Sequence, residues 1–406
     1  MGSPERKVAV VGLGVVSALG MDVAAYWEGL VNGRCGIGPV DLFDTSAYRT
    51  HIGAQVRGLD SASHFGKIER RRMSRCDQLG LIAAREAVAD SGLDFGSVGP
   101  ENVGVLLGGG AGGMLSGERY RRDLQDKSKK PRPSLLIPFS PSYTTDLLAF
   151  EFGLTGPRAT VVTACSSSST SIGYAADWIR RGDADVVITG GSDAMCELTY
   201  SGFNSLRAVD DRPCRPFDNA RKGLSLGEGA AILVLEEMGR AKARGVRIYA
   251  ELAGYGIAGD AYHMTAPDVK GDGAARTIAE ALRDAGATVD DVDYINAHGT
   301  ATKFNDLAET AAIKAVFGER AYAIPVSSIK SMIGHCLGSA GGMEALATAL
   351  SVYHDIIPPT INYETKDPHC DLDYTPNEAR KKTVRLAISN SLAFGGNNTT
   401  VVFRKV

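Results

Sequence analysis

Residues 158–179 have the sequence RATVVTACSSSSTSIGYAADWI, in which a β-branched run leads into a tight loop and then into a helical pattern that opens with small residues. Residues 323–350, AIPVSSIKSMIGHCLGSAGGMEALATAL, repeat this order of strand, loop and small-residue helix. The stretches 87–110 and 281–300 also share a plan, because in each a helix end, a glycine and a polar turn precede a strand and a small-residue loop. This self-similarity predicts a duplicated chain, with one half at 1–250 and the other at 251–406.

The segments around these repeats alternate between the residue pattern of a β-strand and that of an α-helix. Short apolar runs such as VAVVGLG (8–14) and VGVLLGGG (103–110) are separated by longer helical patterns such as CDQLGLIAAREAVADSG (76–92). Because such strands are apolar on both sides, they are predicted to lie in a sheet that helices cover on both faces. The pattern predicts the α/β class, interrupted at 114–140 by a basic, proline-containing surface excursion.

The composition excludes several classes of protein. A chain of 406 residues with a formal net charge of −3, 44% hydrophobic and 22% charged residues is typical of a globular protein and gives no support for nucleic-acid binding. No apolar run approaches the roughly 20 residues of a membrane helix, and the N-terminal stretch has no secretory apolar segment. The seven cysteines are scattered without a CxxC pair, which disfavours a disulfide framework or a zinc site and favours a reducing, cytoplasmic location.

Cys165 stands at the junction between the predicted strand and helix of the first repeat. A helix that begins at 166–168 would direct unpaired backbone N–H groups and its dipole at the sulfur, so we expect the pKa of this thiol to be lowered. A sharp strand-to-helix turn is typical of a nucleophile elbow. The alternative is a buried, unreactive cysteine, and this stretch alone leaves both interpretations open.

Titratable side chains also follow two predicted strands of the second half: His298, Lys330, His335 and Glu344. In a duplicated α/β chain these strand ends meet those of the first half near a pseudo-twofold axis, where the sites of α/β proteins lie. Each histidine taken singly has a structural alternative as a hydrogen-bonded loop residue. Together with Cys165, the two histidines predict one site.

Five motifs occur in order along the chain: TACSSS (163–168), RPFDNARKGLSLGEGAA (215–231), NAHGTAT (296–302), KSMIGHCLGSAGGME (330–344) and SLAFGGNN (391–398). This set resembles the β-ketoacyl-acyl-carrier-protein synthases, the elongating condensing enzymes of fatty-acid and polyketide assembly, from Val8 to Phe403. The resemblance implies a thiolase-like, five-layer α-β-α-β-α fold and a homodimer or related heterodimer. It implies an acyl carrier protein as partner, substrates held on the phosphopantetheine of that carrier, no other cofactor and no metal.

The resemblance assigns catalytic roles to three residues. Cys165 matches the nucleophile that accepts an acyl group from a thioester. His298 and His335 match the histidines that bind the malonyl thioester carbonyl and stabilise its enolate after loss of CO2. Two histidines with a cysteine are the set of decarboxylating extension, whereas a Cys-His-Asn set would suggest priming from coenzyme A.

Other positions match supporting and substrate-binding roles. The backbone N–H groups of Cys165 and Phe394 match an oxyanion hole, and Lys330 and Glu344 match a buried pair that orders the site. Lys330 is expected to be structural rather than to transfer a proton. The residues that match substrate-binding positions are Thr300 and Thr302, which would bond the pantetheine amides, together with Ala111 and Phe203.

Three departures from the fatty-acid branch favour a specialised type II polyketide or polyene pathway as the alternative, in which the chain works with a chain-length partner. The C-terminal motif is AFGGNN, and the segment after Thr302 is KFNDLAE, which retains Asp306 and Glu309. Ala111 occupies a position at the acyl pocket that is often bulky in the family, so we expect a larger pocket.

A run of cations predicts where an acidic carrier protein docks. KIERRRMSR (67–75) supplies Lys67, Arg70, Arg71, Arg72 and Arg75, and Arg207 matches a second patch. Such charges would steer an acidic partner to the tunnel. The alternative for any charge run is a solvated helix face.

Three rival functions are weaker. Gly12-x-Gly14-x-x-Ser17 invites a dinucleotide-binding interpretation, but the third glycine is absent and no acidic residue follows about 20 positions later. A non-catalytic chain-length subunit would lack the nucleophile, and a plain thiolase would lack the second-histidine pattern.

Overall fold

A computed structural model describes residues 6–406, and ten strands form its main sheet. They are β1 (Val8–Val16), β2 (Val103–Gly108), β3 (Arg158–Val161), β4 (Val186–Asp193), β5 (Gly229–Glu237), β6 (Ala250–Gly259), β7 (Tyr294–Asn296), β8 (Val326–Ser327), β9 (Leu386–Ala393) and β10 (Asn397–Arg404). Two small hairpins pair Gly38–Pro39 with Ile52–Gly53 and Ile356–Ile357 with Arg380–Lys381.

The two sides of the sheet have the same topology. From edge to edge the order is β8-β7-β9-β10-β6-β1-β5-β4-β2-β3. Numbered within its own set, each group of five strands has the order 3-2-4-5-1, and the parallel and antiparallel pairings correspond as well. Within residues 6–406, the two sets pair with each other through β1 and β6 alone, by the pairs Ala9–Glu251 and Val10–Ala250.

The longer helices follow the same repeat. They are α1 (Val23–Val31), α2 (Arg75–Ser91), α3 (Met114–Gln125), α4 (Tyr143–Glu151), α5 (Ser167–Arg181), α6 (Glu197–Ser205), α7 (Asp272–Asp284), α8 (Lys303–Phe317) and α9 (Ala340–His354). By position in the repeat, α2, α4 and α5 correspond to α7, α8 and α9, whereas α1, α3 and α6 are additions to the first half. The shorter helices are Ser61–His64, Lys67–Arg70, Phe95–Val98, Met238–Arg244 and Lys330–Ile333.

Three hydrophobic cores stack between the layers. The central core joins α5 and α9 to both strand sets, a second lies between α2, α4 and the first set, and a third lies between α7, α8 and the second set. The resulting α-β-α-β-α arrangement is the thiolase-like fold that the family resemblance implied. Strands β1 and β2 are buried along their whole length, which confirms the prediction from their apolar runs, whereas the edge strand β3 has Arg158 and Ala159 exposed.

The central helices cross closely because their first turns are made of small residues. A Cβ on Gly341 of α9 would lie 2.1 Å from Ser169 Oγ of α5. The glycines of β1 serve packing in the same way, since a Cβ on Gly14 would lie 1.9 Å from the carbonyl oxygen of Ala83 in α2. Gly12 and Gly14 therefore lie inside a strand that packs on a helix, and not in a phosphate-binding loop.

The stretch 114–140 is only partly irregular. Its first residues form α3, and Pro133–Phe139 form a 3-10 helix, with most of the side chains exposed or half-buried. Among residues 6–406, no helix combines the length and the apolar character that crossing a bilayer requires.

Candidate active site

Cys165 lies in a tight turn between β3 and α5. The turn Ala164–Ser166 is a 3-10 helix, and Ala164 has the left-handed φ of +55°. The second half repeats the turn as Leu337–Ser339, with φ of +51° at Leu337. Gly338 occupies the position that corresponds to Cys165, and a Cβ there would lie 2.4 Å from the carbonyl carbon of Gly109. The duplicated turn can therefore carry a thiol in one half only.

The hydroxyl residues after Cys165 satisfy the backbone of this turn. Ser166 Oγ donates to the carbonyl of Thr163 at 3.0 Å, and Ser167 Oγ donates to that of Ala164 at 2.7 Å. Ser168 Oγ accepts a hydrogen bond from the Gly342 N–H at 2.7 Å and so ties α5 to α9. Buried hydroxyls need such partners, which explains why small polar residues follow the cysteine.

The structure brings Cys165, His298 and His335 together from the two halves. His335 Nε2 lies 3.0 Å from Cys165 Sγ, and the three side chains each place one nitrogen or sulfur atom within 4.8 Å of the others. The histidine rings are perpendicular, with centroids 5.4 Å apart. Both histidines are 1% exposed and Cys165 is 7% exposed. One thioester carbonyl fits within reach of all three groups.

Lys330 fixes the orientation of His298. Its ammonium lies 3.1 Å from His298 Nδ1, donates to the His298 carbonyl at 2.6 Å and forms an ion pair with Glu344. Since an ammonium only donates, Nδ1 accepts, and the neutral ring carries its hydrogen on Nε2. Glu309, to which the sequence assigned no role, accepts the backbone N–H groups of His298 and Gly299, each at 2.8 Å.

Burial dominates the ionisation of the triad. Desolvation and then the charge of Lys330 hold the pKa values of His298 and His335 well below 6.5, so both rings are neutral at physiological pH. Desolvation raises the pKa of Cys165 to about 11, against the opposing effects of Lys330 and of the backbone N–H groups of Phe394 and Cys165. The expectation of a lowered thiol pKa was wrong, because the cost of burying a thiolate exceeds what the helix start supplies. Cys165 thus rests as a thiol and needs a base, and His335 Nε2 is in place to be that base.

Phe394 follows β9 and approaches the sulfur with its backbone. Its N–H lies close enough to Cys165 Sγ to oppose the rise in the pKa of that thiol, as does the N–H of Cys165 itself. Gly395 and Gly396 both have left-handed φ, +79° and +69°, which lets the chain turn directly after Phe394. The Phe394 ring stacks on Phe203 with centroids 5.6 Å apart. Two backbone donors therefore lie near the sulfur, and their match to an oxyanion hole stays a prediction.

A cavity of about 330 Å³ connects the triad to the surface. Five residues with predicted roles line it together with the triad: Phe203, Arg207, Thr300, Thr302 and Phe394. The Thr300 and Thr302 hydroxyls lie 3.0 Å apart. Ala111 is not on this cavity, and it packs instead in a buried cluster with Leu115 and Leu337.

The sequence did not assign roles to several residues of the cavity mouth, among them Lys222, Lys303 and Phe304. Lys303 and Phe304 directly follow Thr302, so their position next to a motif was the available signal. Lys222 lies inside the motif RPFDNARKGLSLGEGAA, but its charge alone did not distinguish it there.

The predicted docking residues lie in three separate cavities or grooves of the structure. Lys67 and Arg71 line a separate cavity of about 860 Å³, whose other cations are Arg70, Arg75, Arg119 and Arg132. Arg72 lies on a neighbouring groove, and Arg207 lies at the mouth of the triad cavity. Arg75 forms an ion pair with the buried Glu228 at 2.7 Å, so its charge is already compensated.

Within residues 6–406, the triad is the one group of histidine, cysteine and carboxylate atoms close enough to share a metal ion. The Lys330 ammonium next to His298 opposes a divalent cation at that point. The seven cysteines are all free thiols.

Comparison with known proteins gives the same family along the whole chain. Models of the β-ketoacyl synthase N-terminal and C-terminal domains match residues 5–241 and 249–364. The 3-oxoacyl-(acyl-carrier-protein) synthase 2 of Staphylococcus aureus (strain COL) is 43% identical over 99% of both chains.

Two solved structures extend the comparison. The ishigamide ketosynthase/chain length factor structure superposes with a TM-score of 0.95 at 37% identity, covering 99% of this chain and 100% of that one. The second structure is AntDE:AntF, a type II PKS acyl-carrier protein in complex with its ketosynthase bound to the hexaketide. It superposes with a TM-score of 0.91 at 33% identity, again covering 99% of this chain and 100% of that one.

Proposed function

The chain belongs to the β-ketoacyl synthase family, and from this premise we propose that it is a 3-oxoacyl-(acyl-carrier-protein) synthase whose nucleophile is Cys165. The observation that carries the proposal is the convergence of one thiol and two neutral imidazoles at the closed end of a surface-connected cavity. A thiol with a neighbouring base performs acyl transfer, and two neutral N–H donors are suited to an enolate.

In the first half-reaction Cys165 takes the acyl group. His335 Nε2 accepts the thiol proton over 3.0 Å while Sγ attacks the acyl thioester carbonyl. The bond between the acyl carbon and the carrier sulfur breaks, and His335 returns the proton to that leaving thiolate. The N–H groups of Cys165 and Phe394 stabilise the tetrahedral oxyanion, so no cofactor is required beyond the arm that carries the substrate.

In the second half-reaction a malonyl thioester occupies the same cavity. The bond between its α-carbon and its carboxylate breaks, CO2 leaves, and the electron pair remains as an enolate. His298 donates its Nε2–H to the enolate oxygen, and His335, which no longer accepts from a thiol once Cys165 is acylated, provides the second contact in the neutral tautomer that carries its hydrogen on Nε2. The α-carbon attacks the acyl group, and collapse of the tetrahedral adduct yields the 3-oxoacyl thioester and expels the Cys165 thiolate, which takes up one proton from solvent to return to the resting thiol.

Thr300 and Thr302 would hold the amides of the pantetheine arm, since their hydroxyls line the cavity between the triad and the surface. Lys330 and Glu344 act through His298 and do not line the cavity. We also propose that the two functional halves are 1–250 and 251–406, because β5 ends at Glu237 and the repeated topology restarts at Ala250. The free cysteines support a reducing, cytoplasmic setting.

The reaction itself tests the proposal. With an acyl carrier and a malonyl carrier, we expect one CO2 and one 3-oxoacyl thioester per turnover, measured by radiometric CO2 capture and mass spectrometry of the carrier. Enzyme without the acyl donor controls for uncoupled decarboxylation. Transfer of the acyl group without carbon–carbon bond formation would reject the synthase assignment.

A second candidate is a ketosynthase subunit of a specialised type II pathway that pairs with a chain-length partner. The likeness to the ishigamide ketosynthase/chain length factor favours it. β3 is an edge strand with Arg158 and Ala159 exposed and with Val162 54% exposed beyond its end, so it can pair with another subunit. Native mass spectrometry after co-expression with candidate partners separates a heterodimer from a homodimer.

The basic residues Lys67, Arg71, Arg72 and Arg207 would dock the acidic carrier protein. Replacing Arg71 and Arg72 together by Ala is expected to raise the KM for the carrier-bound substrate about fivefold at low salt, because each exposed ion pair is worth up to about 1 kcal/mol. The increase should shrink as ionic strength rises.

Lys242→Ala/Lys381→Ala removes the same charge from exposed positions outside these cavities and serves as the control. An unchanged KM in Arg71→Ala/Arg72→Ala, with no dependence on salt, would reject docking at this site.

A further inference from the structure

The triad cavity changes character along its length. At its closed end Cys165, His298 and His335 are buried, and Thr300 is 6% exposed. At its open end Phe304 is 52% exposed, and three exposed cations line the mouth: Arg207, Lys222 and Lys303. The mouth is therefore the cationic part of an otherwise largely uncharged channel.

These three charges are uncompensated. Among residues 6–406, none of the three makes an ion pair within 4.0 Å. The one carboxylate on the cavity lining, Asp260, accepts a hydrogen bond from Asn398 Nδ2 at 2.6 Å. Outside the lining, the exposed Asp211 has a pKa lowered first by a hydrogen bond with Asp210 and more weakly by Lys222. The cations thus keep free donors at the opening.

The neighbouring Arg221 differs from these three cations because its charge is paired with carboxylates. It forms ion pairs with Asp306 and Asp367, and its guanidinium donates to the carbonyls of Thr302 and Lys303 at 3.4 Å each. These bonds fix the backbone that leads from Thr302 to Lys303. The position of Lys303 relative to the threonines is thereby set, while its side chain remains available.

We infer that Lys222 and Lys303, together with Arg207, form a subsite for the phosphodiester of the phosphopantetheine arm. The inference rests on the proposed function and concerns two lysines, Lys222 and Lys303, to which that function assigned no role, together with Arg207, which it assigned to carrier docking. With the thioester at the triad and the amides at Thr300 and Thr302, the only anionic group of the arm lies at the mouth. Lysine binds phosphate as a flexible point charge, which suits an opening that an arm must pass in each half-reaction.

The subsite is tested with malonyl thioesters of pantetheine and of 4′-phosphopantetheine, which differ by one phosphate. For the unaltered enzyme we expect a KM about fivefold to tenfold lower for the phosphorylated thioester. In Lys222→Ala/Lys303→Ala this preference should fall to less than about twofold, with the kcat for either thioester nearly constant, because the lysines do not contact the reacting atoms. Lys222→Arg/Lys303→Arg should restore the preference for the phosphorylated thioester, and the control variant Lys381→Ala should retain that preference.

Titration calorimetry with 4′-phosphopantetheine and with pantetheine gives the same comparison without turnover. A double variant that keeps the full preference in KM or in binding would overturn the inference, as would an unaltered enzyme with none. Turnover of both thioesters supports the synthase function whether or not the enzyme prefers the phosphorylated one. The synthase function and the phosphate subsite can therefore be rejected independently.

Discussion

Replacing Cys165 with Ala is expected to abolish formation of 3-oxoacyl thioester, with a loss of about four orders of magnitude or more. The duplicated turn has no thiol at the corresponding position, because Gly338 stands there and its surroundings exclude a side chain, and the nearby Cys336 is fully buried. Decarboxylation of the malonyl thioester should persist, since His298 and His335 remain and do not need the sulfur to stabilise an enolate. The variant thus separates the two half-reactions.

Intact-protein mass spectrometry provides the measurement. With acyl carriers of graded length, the unaltered enzyme should gain one acyl group, and the chain length with the largest adduct identifies the preferred substrate. Cys165→Ala should show no adduct, whereas Cys35→Ala, which removes an exposed thiol outside the cavity, should acylate normally. An adduct that survives in Cys165→Ala would place the nucleophile elsewhere.

The architecture was predictable because it rests on local patterns that occur twice. Apolar runs such as Val8–Val16 indicate strands buried on both faces, and the glycines and serines at the start of α5 and α9 indicate two helices that cross closely in the centre. The motifs around Cys165, His298 and His335 also predicted that these residues share one site, and the structure brings them together.

The properties that the sequence did not predict depend on distance and burial. The start of a helix can be recognised from SSSST, but the desolvation that raises the thiol pKa to about 11 comes from residues of both halves. Ala111 packs with Leu115 and Leu337 and does not line the triad cavity, so its place at the acyl pocket, which the resemblance implied, stays a prediction. The free charges of Lys222 and Lys303 become informative only once the cavity brings them to one opening.

Lys330→Met is expected to change both stability and pH dependence, because it leaves Glu344 buried without its partner. Breaking a buried ion pair in this way costs about 3–5 kcal/mol of unfolding free energy. His298 Nδ1 also loses the ammonium that faces it, so the hydrogen is no longer confined to Nε2. We expect malonyl decarboxylation to fall about a hundredfold, within the range for a misplaced proton donor.

The pH profile distinguishes this role from a purely structural one. Burial and, after it, the charge of Lys330 lower the pKa values of His298 and His335. Activity requires the neutral rings, so it is lost as the pH falls through those pKa values. Without the ammonium both pKa values rise, and the acidic limb of kcat should move to higher pH, toward 6.5. Glu344→Gln retains the ammonium and should not move the limb in this direction.

Lys330→Met/Glu344→Gln completes the comparison, because it removes both charges and leaves no buried carboxylate unpaired. We expect it to recover much of the unfolding free energy lost in Lys330→Met while it keeps the displaced acidic limb. Chemical denaturation and decarboxylation kinetics from pH 5 to 8 measure the two effects on the same protein. If the acidic limb of either variant lacking Lys330 coincides with that of the unaltered enzyme, Lys330 does not tune the histidines and only supports the packing around Glu344.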